Sequence, residues 1–394
     1  KRDALKIWTV LLAILTFSLS LLGTFLVRSG VLTSVHSFAV DPSRGVAILA
    51  ILIVFIGGSL ALFAWRAPLL QQGGLFAPVS REGALVVNNL LLATGCATVF
   101  IGTLYPLALE ALAGEKISVG EPFFNLTFVP VIVPLLLLMP VGQTLAWKRG
   151  DALGAVQRLY AVFGLSLLAT VALLAVSVGG PVAAPLGVGL GVFLVLGAIN
   201  EVVTRCWRRD TSWRTALAKA AGLPRSTWGT VTAHAGVGLA VIGIAATGWS
   251  TEALGTLKLG DRLAAGRYEV QLVSLSPRTG PNYREDVAIL RVSRGGRDLG
   301  AVETAKRLYL TRGMATTEAG ILTLGLSQVY ASLGEVRPDG GVDLRLYDKP
   351  LVLLIWLGAA VMAAGGAVSL TDRRLRVGAP ARAREPRVVP APAE

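Results

Sequence analysis

The chain has 394 residues, of which 53% are hydrophobic and only 15% are charged, and its mean hydropathy is +0.64. About a quarter of the residues of a soluble protein are charged, so this composition excludes an ordinary soluble enzyme and predicts an integral membrane protein. The formal net charge of +13 does not by itself indicate nucleic-acid binding, because a basic excess on one side of a bilayer is a topology signal.

About eight segments are apolar over a length of about twenty residues, which is enough to cross a bilayer core of about 30 Å. In chain order they cover residues 8–27, 46–65, 84–105, 127–147, 159–178, 182–200, 227–248 and 350–370. The fifth and sixth segments are joined only by Gly179, Gly180 and Pro181, which predicts a tight hairpin.

The connections between these segments differ in charge. Both termini and the connections after the second, fourth and sixth segments together carry a net charge of +12, whereas the remaining connections carry +1. By the positive-inside rule, this asymmetry predicts that both termini are cytoplasmic.

The connection between the last two segments, residues 249–349, has a different composition. Residues 268–275, 286–293 and 298–304 are rich in β-formers, and the Gly295–Gly296 and 339–341 stretches offer hairpin turns. These patterns predict a small external β domain, either a barrel or a sandwich.

The predicted fold class is therefore a mostly α-helical integral membrane protein with a small external β domain between its last two helices. The membrane domain covers residues 1–248, the β domain 249–349 and the last transmembrane helix 350–370. Residues 371–394 are rich in Arg, Pro and Ala, which cannot bury a core, so they predict a disordered cytoplasmic tail.

Only two histidines occur in the chain, and the first follows the first apolar segment. The apolar spacing near residues 31–40 predicts a short interfacial helix with His36 at its shoulder. The imidazole of His36 either ligates iron or has only a surface role. Arg28 ends the first segment, where it either reaches the lipid headgroups or pairs with the carboxylate of a bound ligand.

The second histidine, His234, lies inside the seventh segment, roughly 10 Å from the cytoplasmic boundary at a rise of about 1.5 Å per residue. An ionisable side chain at this depth indicates a functional site, although one cross-helix hydrogen bond would also satisfy a neutral imidazole. The neighbouring Ala233, Ala235, Gly236 and Gly238 are small, so either another helix or a planar macrocycle can come close.

Other chemistry-bearing residues are few. Asn88, Asn89 and Glu201 are the remaining polar candidates within or beside the apolar segments, and the two cysteines form no CxxC motif. The sequence contains no Walker loop, no nucleophile elbow and no paired acid arrangement, which argues against phosphoryl-transfer and hydrolytic enzymes.

Several stretches resemble the CcmF family, the haem lyase of bacterial cytochrome c maturation, and its close paralogue for nitrite-reductase haem attachment. They preserve the family's order along nearly the whole chain: GTFLVRSGVLTSVHSFA (23–39), LVVNNLLLATG (85–95), GTLYPLALEALAGEKISVGEPFFN (102–125), PRSTWGTVTAHAGVGLAVIGIA (224–245), GPNY (280–283) and YDKPLVLLIWLGAAVMAAGGAVSLTDRR (347–374).

The resemblance implies two haem groups. In the family, an outward-facing tryptophan-rich segment receives the substrate haem, with one histidine on either side as a ligand. A second haem, of b type, is held between transmembrane histidines and keeps the first iron reduced. His36 matches the external histidine that follows the tryptophan-rich segment, and His234 matches the later transmembrane histidine. Arg28, from its position alone, would pair with a haem propionate.

The implied activity is that of a thioether-forming cytochrome c haem lyase, which joins haem vinyl groups to the two thiols of a CxxCH motif. No catalytic nucleophile is expected, because the lyase supplies orientation and redox state. The implied partners are a haem chaperone donor, apocytochrome c and other maturation proteins, with no nucleic acid. The implied location is the bacterial inner membrane, with the β domain periplasmic.

The sequence departs from the family pattern in two respects. It has no tryptophan-rich segment, because its eight tryptophans are scattered at positions 8, 65, 147, 207, 213, 228, 249 and 356. The second histidine of each haem site is also absent, and the chain begins at Lys1. We therefore expect a C-terminal portion, either of a cut sequence or of a naturally split lyase, with the missing N-terminal portion as a partner.

Two alternatives remain at this level. A haem transporter or channel subunit would need a polar path or matching half-repeats, and neither is evident in the sequence. A non-catalytic assembly scaffold, whose β domain docks partners, also fits the sequence.

Overall fold

The computed structural model describes residues 5–29, 42–70, 76–115, 117, 119–207, 210–311, 313–338 and 340–372. The chain divides into two compact units, Lys1–Arg158 and Leu159–Glu394. The predicted interfacial helix near 31–40, and with it His36, lies outside the described residues, as does all but the start of the predicted tail.

The described part of the first unit is helical. Its helices are α1 (Lys6–Ser29), α2 (Pro42–Leu52), α3 (Gly58–Arg66), α4 (Arg81–Ala113), α5 (Glu121–Thr127), α6 (Val129–Thr144) and α7 (Ala152–Gln157). A π-helical turn, Ile53–Gly57, joins α2 to α3, and a 3₁₀ turn, Ala67–Leu69, follows α3. These pieces form one apolar helical run, Arg44–Leu69.

Local signals explain both ends of the long helix α4. The hydroxyl of Ser80 accepts a hydrogen bond of 3.0 Å from the backbone N–H of Gly83, which is an N-cap. Gly114 ends the helix with a φ of 70°, a left-handed conformation that glycine adopts without the steric cost of a side chain.

The second unit contains both helices and strands. Its helices are α8 (Tyr160–Val176), α9 (Ala183–Cys206), α10 (Trp213–Ala221), α11 (Arg225–Ala246) and α12 (Leu353–Leu370), and a 3₁₀ turn, Thr247–Trp249, follows α11. Helix α11 packs against both α9 and α12.

Glycines bring α11 into close contact with its two neighbours. A Cβ atom added at Gly236 would lie 2.7 Å from the carbonyl oxygen of Gly358 in α12. On the other face, a Cβ atom at Gly238 would lie 2.7 Å from the carbonyl oxygen of Gly191 in α9. Such backbone-to-backbone approach is typical of transmembrane helices joined by small residues.

All eight predicted apolar segments coincide with helices in the structure. Among the described residues, six helices are long and apolar enough to span a membrane. The fourth segment, 127–147, falls on α6, which is bent by 47° against α5 just before it, and the fifth is α8, which has 17 residues. Pro130 in the first turn of α6 explains the bend, because proline has no N–H to continue the hydrogen bonding of α5.

The strands of the second unit form two antiparallel sheets. They are β1 (Thr251–Leu257), β2 (Arg262–Ala265), β3 (Tyr268–Thr279), β4 (Tyr283–Arg294), β5 (Arg297–Tyr309), β6 (Met314–Glu318), β7 (Gly320–Leu324), β8 (Ser327–Val336) and β9 (Val342–Lys349). Sheet A has the order β1-β9-β8-β7, and sheet B has the order β2-β3-β4-β5-β6.

A single apolar core lies between the two sheets, so the β domain is a sandwich. Val270 and Leu290 of sheet B and Val329 and Leu344 of sheet A are among its buried side chains. The three β-rich stretches identified in the sequence fall within β3, β4 and β5, and Gly295 and Gly296 form the β4–β5 turn with φ values of 54° and 81°.

The sandwich is continuous with the helix pair α11 and α12. Strand β1 follows the turn after α11, strand β9 precedes α12, and the two strands pair in register from Thr251 with Asp348. The antiparallel helix pair is therefore extended by an antiparallel strand pair. The pairing of β1 with β9 holds the end of α11 beside the start of α12.

Candidate functional site on helix α11

His234 lies on α11, between its contacts with α9 and α12. At about 100° per residue, Gly229, Gly236 and Gly243 share the face toward α12, while Gly238 and Ile242 share the nearly opposite face toward α9.

We call the glycine contacts of α11 with α12 and with α9 its two glycine seams. A strip of α11 lies between them. The same angular count places Thr230, His234, Val237 and Val241 on it, and all four are half-buried. We call these four residues the His234 flank. The flank is thus one part of α11 that lies outside both glycine contacts.

The small residues beside His234 serve helix packing. A Cβ atom at Gly365 of α12 would lie 2.5 Å from the backbone nitrogen of Ala233, and the Cβ positions of Gly236 and Gly238 lie against α12 and α9. The sequence left open whether these small residues admit another helix or a planar macrocycle. The structure shows that Ala233, Gly236 and Gly238 contact neighbouring helices.

Glu201 is the buried carboxylate of α9, with an exposed fraction of 5%. Its Oε1 atom pairs with Arg205 one turn later, at 2.5 Å. Its Oε2 atom is buried and has no hydrogen-bond partner. Because burying a charge without full pairing is costly, this free acceptor marks a position where a donor is expected.

Arg28 belongs to the first unit, in the last turn of α1, and is half-buried. The same unit contains an open apolar groove of about 510 Å³. The groove is lined by residues of α1, α4 and the α5–α6 region, including Leu26, Gly95 and Phe128. His36 lies outside the described residues, and Arg28 and His234 belong to different units, so the assignment of these three residues to haem sites stays a prediction.

The described residues were compared with the requirements of a metal-ion site. No group of three or more His, Cys, Asp or Glu side chains that could hold a metal ion occurs among them. A haem needs at most two protein ligands, so this result bears on a resident metal ion and leaves the haem prediction untested.

A second polar cluster, which the sequence did not reveal, lies on sheet B. The buried carboxylate of Glu285 accepts hydrogen bonds from Arg278 at 2.6 Å and from Arg307 at 2.9 Å. Arg307 also lies 4.0 Å from the ring centre of Tyr283. Burial alone would raise the pKa of Glu285, but the two guanidinium groups lower it below its ordinary value.

The sequence could not reveal this cluster because its members come from three strands whose register only the fold fixes. One signal was available: GPNY contains the turn between β3 and β4. There the N–H of Gly280 donates to the carbonyl oxygen of Tyr283 at 2.9 Å. A side chain at Gly280 would collide with the Tyr283 ring.

These observations define the class of protein: an integral membrane protein whose apolar helices carry a β-sandwich before the last helix. A family profile described as the CcmF C-terminal beta-sandwich matches residues 248–350. The chain belongs to the CcmF family of cytochrome c-type biogenesis proteins.

Similarity to the curated relatives extends over almost all of this chain. It is 59% identical to the cytochrome c-type biogenesis protein CycK of Rhizobium meliloti, over 98% of this chain and 57% of the relative. It is 40% identical to the cytochrome c-type biogenesis protein CcmF of Escherichia coli, over 95% of this chain and 57% of the relative. The protein NrfE of Haemophilus influenzae is 30% identical over 95% of this chain and 57% of NrfE.

A solved structure supports the fold. A structure titled "Cytochrome c Heme Lyase CcmF" superposes with a TM-score of 0.71 at 22% identity, covering 94% of this chain and 56% of that chain. The chain thus spans somewhat more than half the length of the proteins it matches.

Proposed function

We propose that this chain forms part of a cytochrome c haem lyase and contributes one ligand to each of two haem sites. The observation that carries the proposal is its similarity, over 98% of its length, to a protein named for cytochrome c-type biogenesis. The solved structure of the same fold carries the name haem lyase.

The proposed reaction is the addition of two cysteine thiols of an apocytochrome to the vinyl groups of a substrate haem. Each new bond joins a sulfur to a vinyl carbon, and the thiol hydrogen ends on the other vinyl carbon, so no group leaves and no oxidant is needed. What the protein supplies is therefore the alignment of thiol and vinyl group and the maintenance of reduced reactants.

His234 is the proposed ligand of a resident b-type haem. The placement of His234 supports the proposal, because the residue lies on the half-buried His234 flank, between the faces of α11 that contact α9 and α12. Val237 and Val241 would offer it an apolar surface, and the orphaned Oε2 atom of Glu201 indicates a polar group still to be satisfied in this unit. When bound, such a haem supplies one-electron chemistry.

His36 is the proposed ligand of the substrate haem on the outer side of the membrane, with Arg28 pairing with a propionate. The chain's charge asymmetry supports this orientation, with both termini cytoplasmic and the β-sandwich periplasmic, in the inner membrane. A haem chaperone, apocytochrome c and the other maturation proteins are the proposed partners.

The other histidine of each site, and the tryptophan-rich segment, are proposed to come from outside the 394 residues. The chain contains only His36 and His234, so neither bis-histidine site can be completed within it. The chain by itself is expected to bind no stoichiometric haem, and a pigmented preparation with a bis-histidine spectrum would contradict this.

The test uses cells that produce the complete maturation system and a reporter cytochrome. His234→Gly is expected to remove the b-type absorption bands from the purified lyase. Thr232→Val, on the same helix but about 160° away, is the matched control and should keep them. Unchanged reduced spectra in His234→Gly protein would refute the assignment.

The substrate site is tested separately by His36→Ala. This variant should keep the b-type bands and stop haem attachment to the reporter, because only the external site is changed. Continued production of holocytochrome would exclude His36 as an essential ligand. The transporter and scaffold alternatives receive no specific support from the described residues.

A further inference from the structure

We propose that helix α10 forms a binding surface for anionic phospholipid, in the membrane leaflet opposite the β-sandwich. The apolar part of this surface is Trp213 and Leu217, and its cationic part is Arg214 and Lys219. We call these four residues the α10 surface. The inference involves no haem ligand and is independent of the proposed haem-lyase activity.

Helix α10 lies at the end of the α9 and α11 pair that is farther from the sandwich. The Cβ position of Gly187 in α9 lies against Ala245 of α11, and that of Gly238 in α11 lies against Val195 of α9. The two helices are therefore antiparallel, so the end of α9 and the start of α11 lie at the same level. Helix α10 belongs to the connection between these two ends, whereas the sandwich follows the other end of α11.

This position is the boundary between the apolar layer and water. Both α9 and α11 are long and apolar enough to span a membrane. Helix α10 has nine residues and is about 14 Å long, so it cannot cross a core of about 30 Å. It is held against its neighbours, because the indole N–H of Trp228 in α11 donates to the carbonyl oxygen of Ala220 at 3.0 Å and Ala216 is buried.

Another face of α10 is apolar and exposed. Trp213 and Leu217 are one helical turn apart, and their side chains are 59% and 61% exposed. Trp207, directly after α9, is 51% exposed. Tryptophan is enriched at membrane interfaces, because its ring is apolar while its N–H reaches the headgroups. An apolar patch at the ends of two spans therefore fits the boundary between acyl chains and headgroups.

The charges around this face are mainly positive. Residues 205–225 contain six basic side chains and one acidic side chain, Asp210. Four of the basic residues belong to the described part of the chain, and all four are exposed: Arg205, Arg214, Lys219 and Arg225. Glu201 is paired with Arg205, and Asp372 is buried and accepts from a backbone N–H. The remaining excess of cations complements the phosphate of an anionic lipid.

Arg214 brings charge and apolar surface together. Its guanidinium carbon lies 5.3 Å from the centre of the Trp213 ring. A guanidinium binds phosphate through two parallel N–H groups, while the neighbouring ring contacts the apolar part of the same lipid. A zwitterionic lipid also carries a phosphate, but its own cation opposes those of the protein. The α10 surface should therefore prefer a lipid with a net negative charge.

The test uses the complete chain in bilayer nanodiscs made of equal parts phosphatidylglycerol and phosphatidylcholine. One of the two lipids carries bromine on its acyl chains, which quenches tryptophan fluorescence on contact. The quenching of Trp213 is obtained as the difference between the wild type and Trp213→Phe. We expect Trp213 to be quenched by either brominated lipid, and more strongly by brominated phosphatidylglycerol.

The cations are tested by the double variant Arg214→Gln with Lys219→Gln. A basic residue near an anionic surface raises the affinity about fivefold, so the double variant should lose most of the preference for phosphatidylglycerol. The matched control is Arg284→Gln with Arg297→Gln, which removes two exposed cations from the sandwich and should keep the preference.

Three outcomes would overturn the proposal. Trp213 that is quenched by aqueous iodide, and not by either brominated lipid, would show that the face meets water or a protein partner. Equal quenching of wild-type Trp213 by the two lipids would exclude a preference for anionic lipid. A preference that survives in the double variant would exclude Arg214 and Lys219 as its cause. No measurement involves haem, so failure of the proposed function would leave these results unchanged.

Discussion

Asp372, two residues beyond the end of α12, caps the start of α11: its Oδ2 atom accepts a hydrogen bond of 3.0 Å from the backbone N–H of Ser226. The carboxylate is buried and lies at the positive end of the α11 dipole, so it satisfies a backbone donor and balances a partial charge. The two helices are therefore joined at one end by this cap and at the other by the β1–β9 ladder.

Removing this cap should weaken the protein. Asp372→Ala is expected to lower the free energy of unfolding by about 0.5 to 2 kcal/mol, the usual cost of losing an N-cap side chain. Unfolding of the purified protein in detergent, followed by circular dichroism, measures the loss. Thr371→Ala is the control, because its hydroxyl only bonds back to Val368 in its own helix. Equal stability of the two variants would contradict the capping role.

Two adjacent glycines of α12 test the helix seam. A Cβ atom at Gly365 would lie 2.5 Å from the backbone nitrogen of Ala233 and 2.6 Å from the carbonyl oxygen of Gly229, whereas one at Gly366 meets no atom within 4 Å. Gly365→Ala should therefore cost about 1 to 3 kcal/mol of stability, as overpacking does. Gly366→Ala should be neutral or slightly stabilising, because alanine favours the helix. Detergent unfolding midpoints compare the two, and a harmless Gly365→Ala would refute the close approach.

Thr304 links the two sheets of the sandwich. Its buried hydroxyl donates to the carbonyl oxygen of Glu318 in sheet B at 2.8 Å and accepts from the N–H of Leu333 in sheet A at 3.2 Å. Thr304→Val keeps the volume but removes both of these buried hydrogen bonds, so a loss of about 1 to 3 kcal/mol is expected.

Thermal unfolding measures this loss, with Thr323→Val as an exposed control on β7. A Thr304→Val protein as stable as this control would show that the hydroxyl bridge contributes nothing to stability.

Glu285 should make stability depend on pH. Its pKa is lowered in the folded state, so its contribution is present above its ordinary pKa of 4.5 and is lost as the pH falls through the lowered value. Glu285→Gln should therefore destabilise the protein at neutral pH, and the difference from wild type should shrink as the pH falls below 4.5.

Unfolding measured across this pH range checks the prediction. The matched control is Glu269→Gln, which breaks an exposed pair with Arg262 and should have little effect at any pH. A Glu285→Gln difference that stays constant with pH would contradict the proposed linkage.

Much of the fold could be predicted because its signals are local. Long apolar segments identified the long apolar helices, though not the shorter α7 and α10, and β-forming stretches around Gly295 and Gly296 identified the central strands of sheet B. Local sequence could not decide between a barrel and a sandwich, because that depends on pairings such as β1 with β9, which are far apart in the chain. The bend between α5 and α6 was also missed, although Pro130 is its local cause.

The candidate site was predictable only in part. His234 was identified because the chain has only two histidines and this one lies deep within an apolar segment. Glu201 was identified as a polar residue at the end of an apolar segment. Nothing in the sequence indicated that Glu201 pairs with Arg205 through one oxygen only, or that Gly236 and Gly238 belong to opposite seams. These relations depend on which helices are neighbours.

The sequence by itself determined that this is a membrane protein of the CcmF family, because hydropathy and motif order are properties of contiguous residues. Only the tertiary structure decided which faces of α11 contact α9 and α12, and that Asp372 caps the start of α11. The physical reason is that helix seams form where backbones approach within van der Waals contact, and that approach is set by residues far apart in the chain.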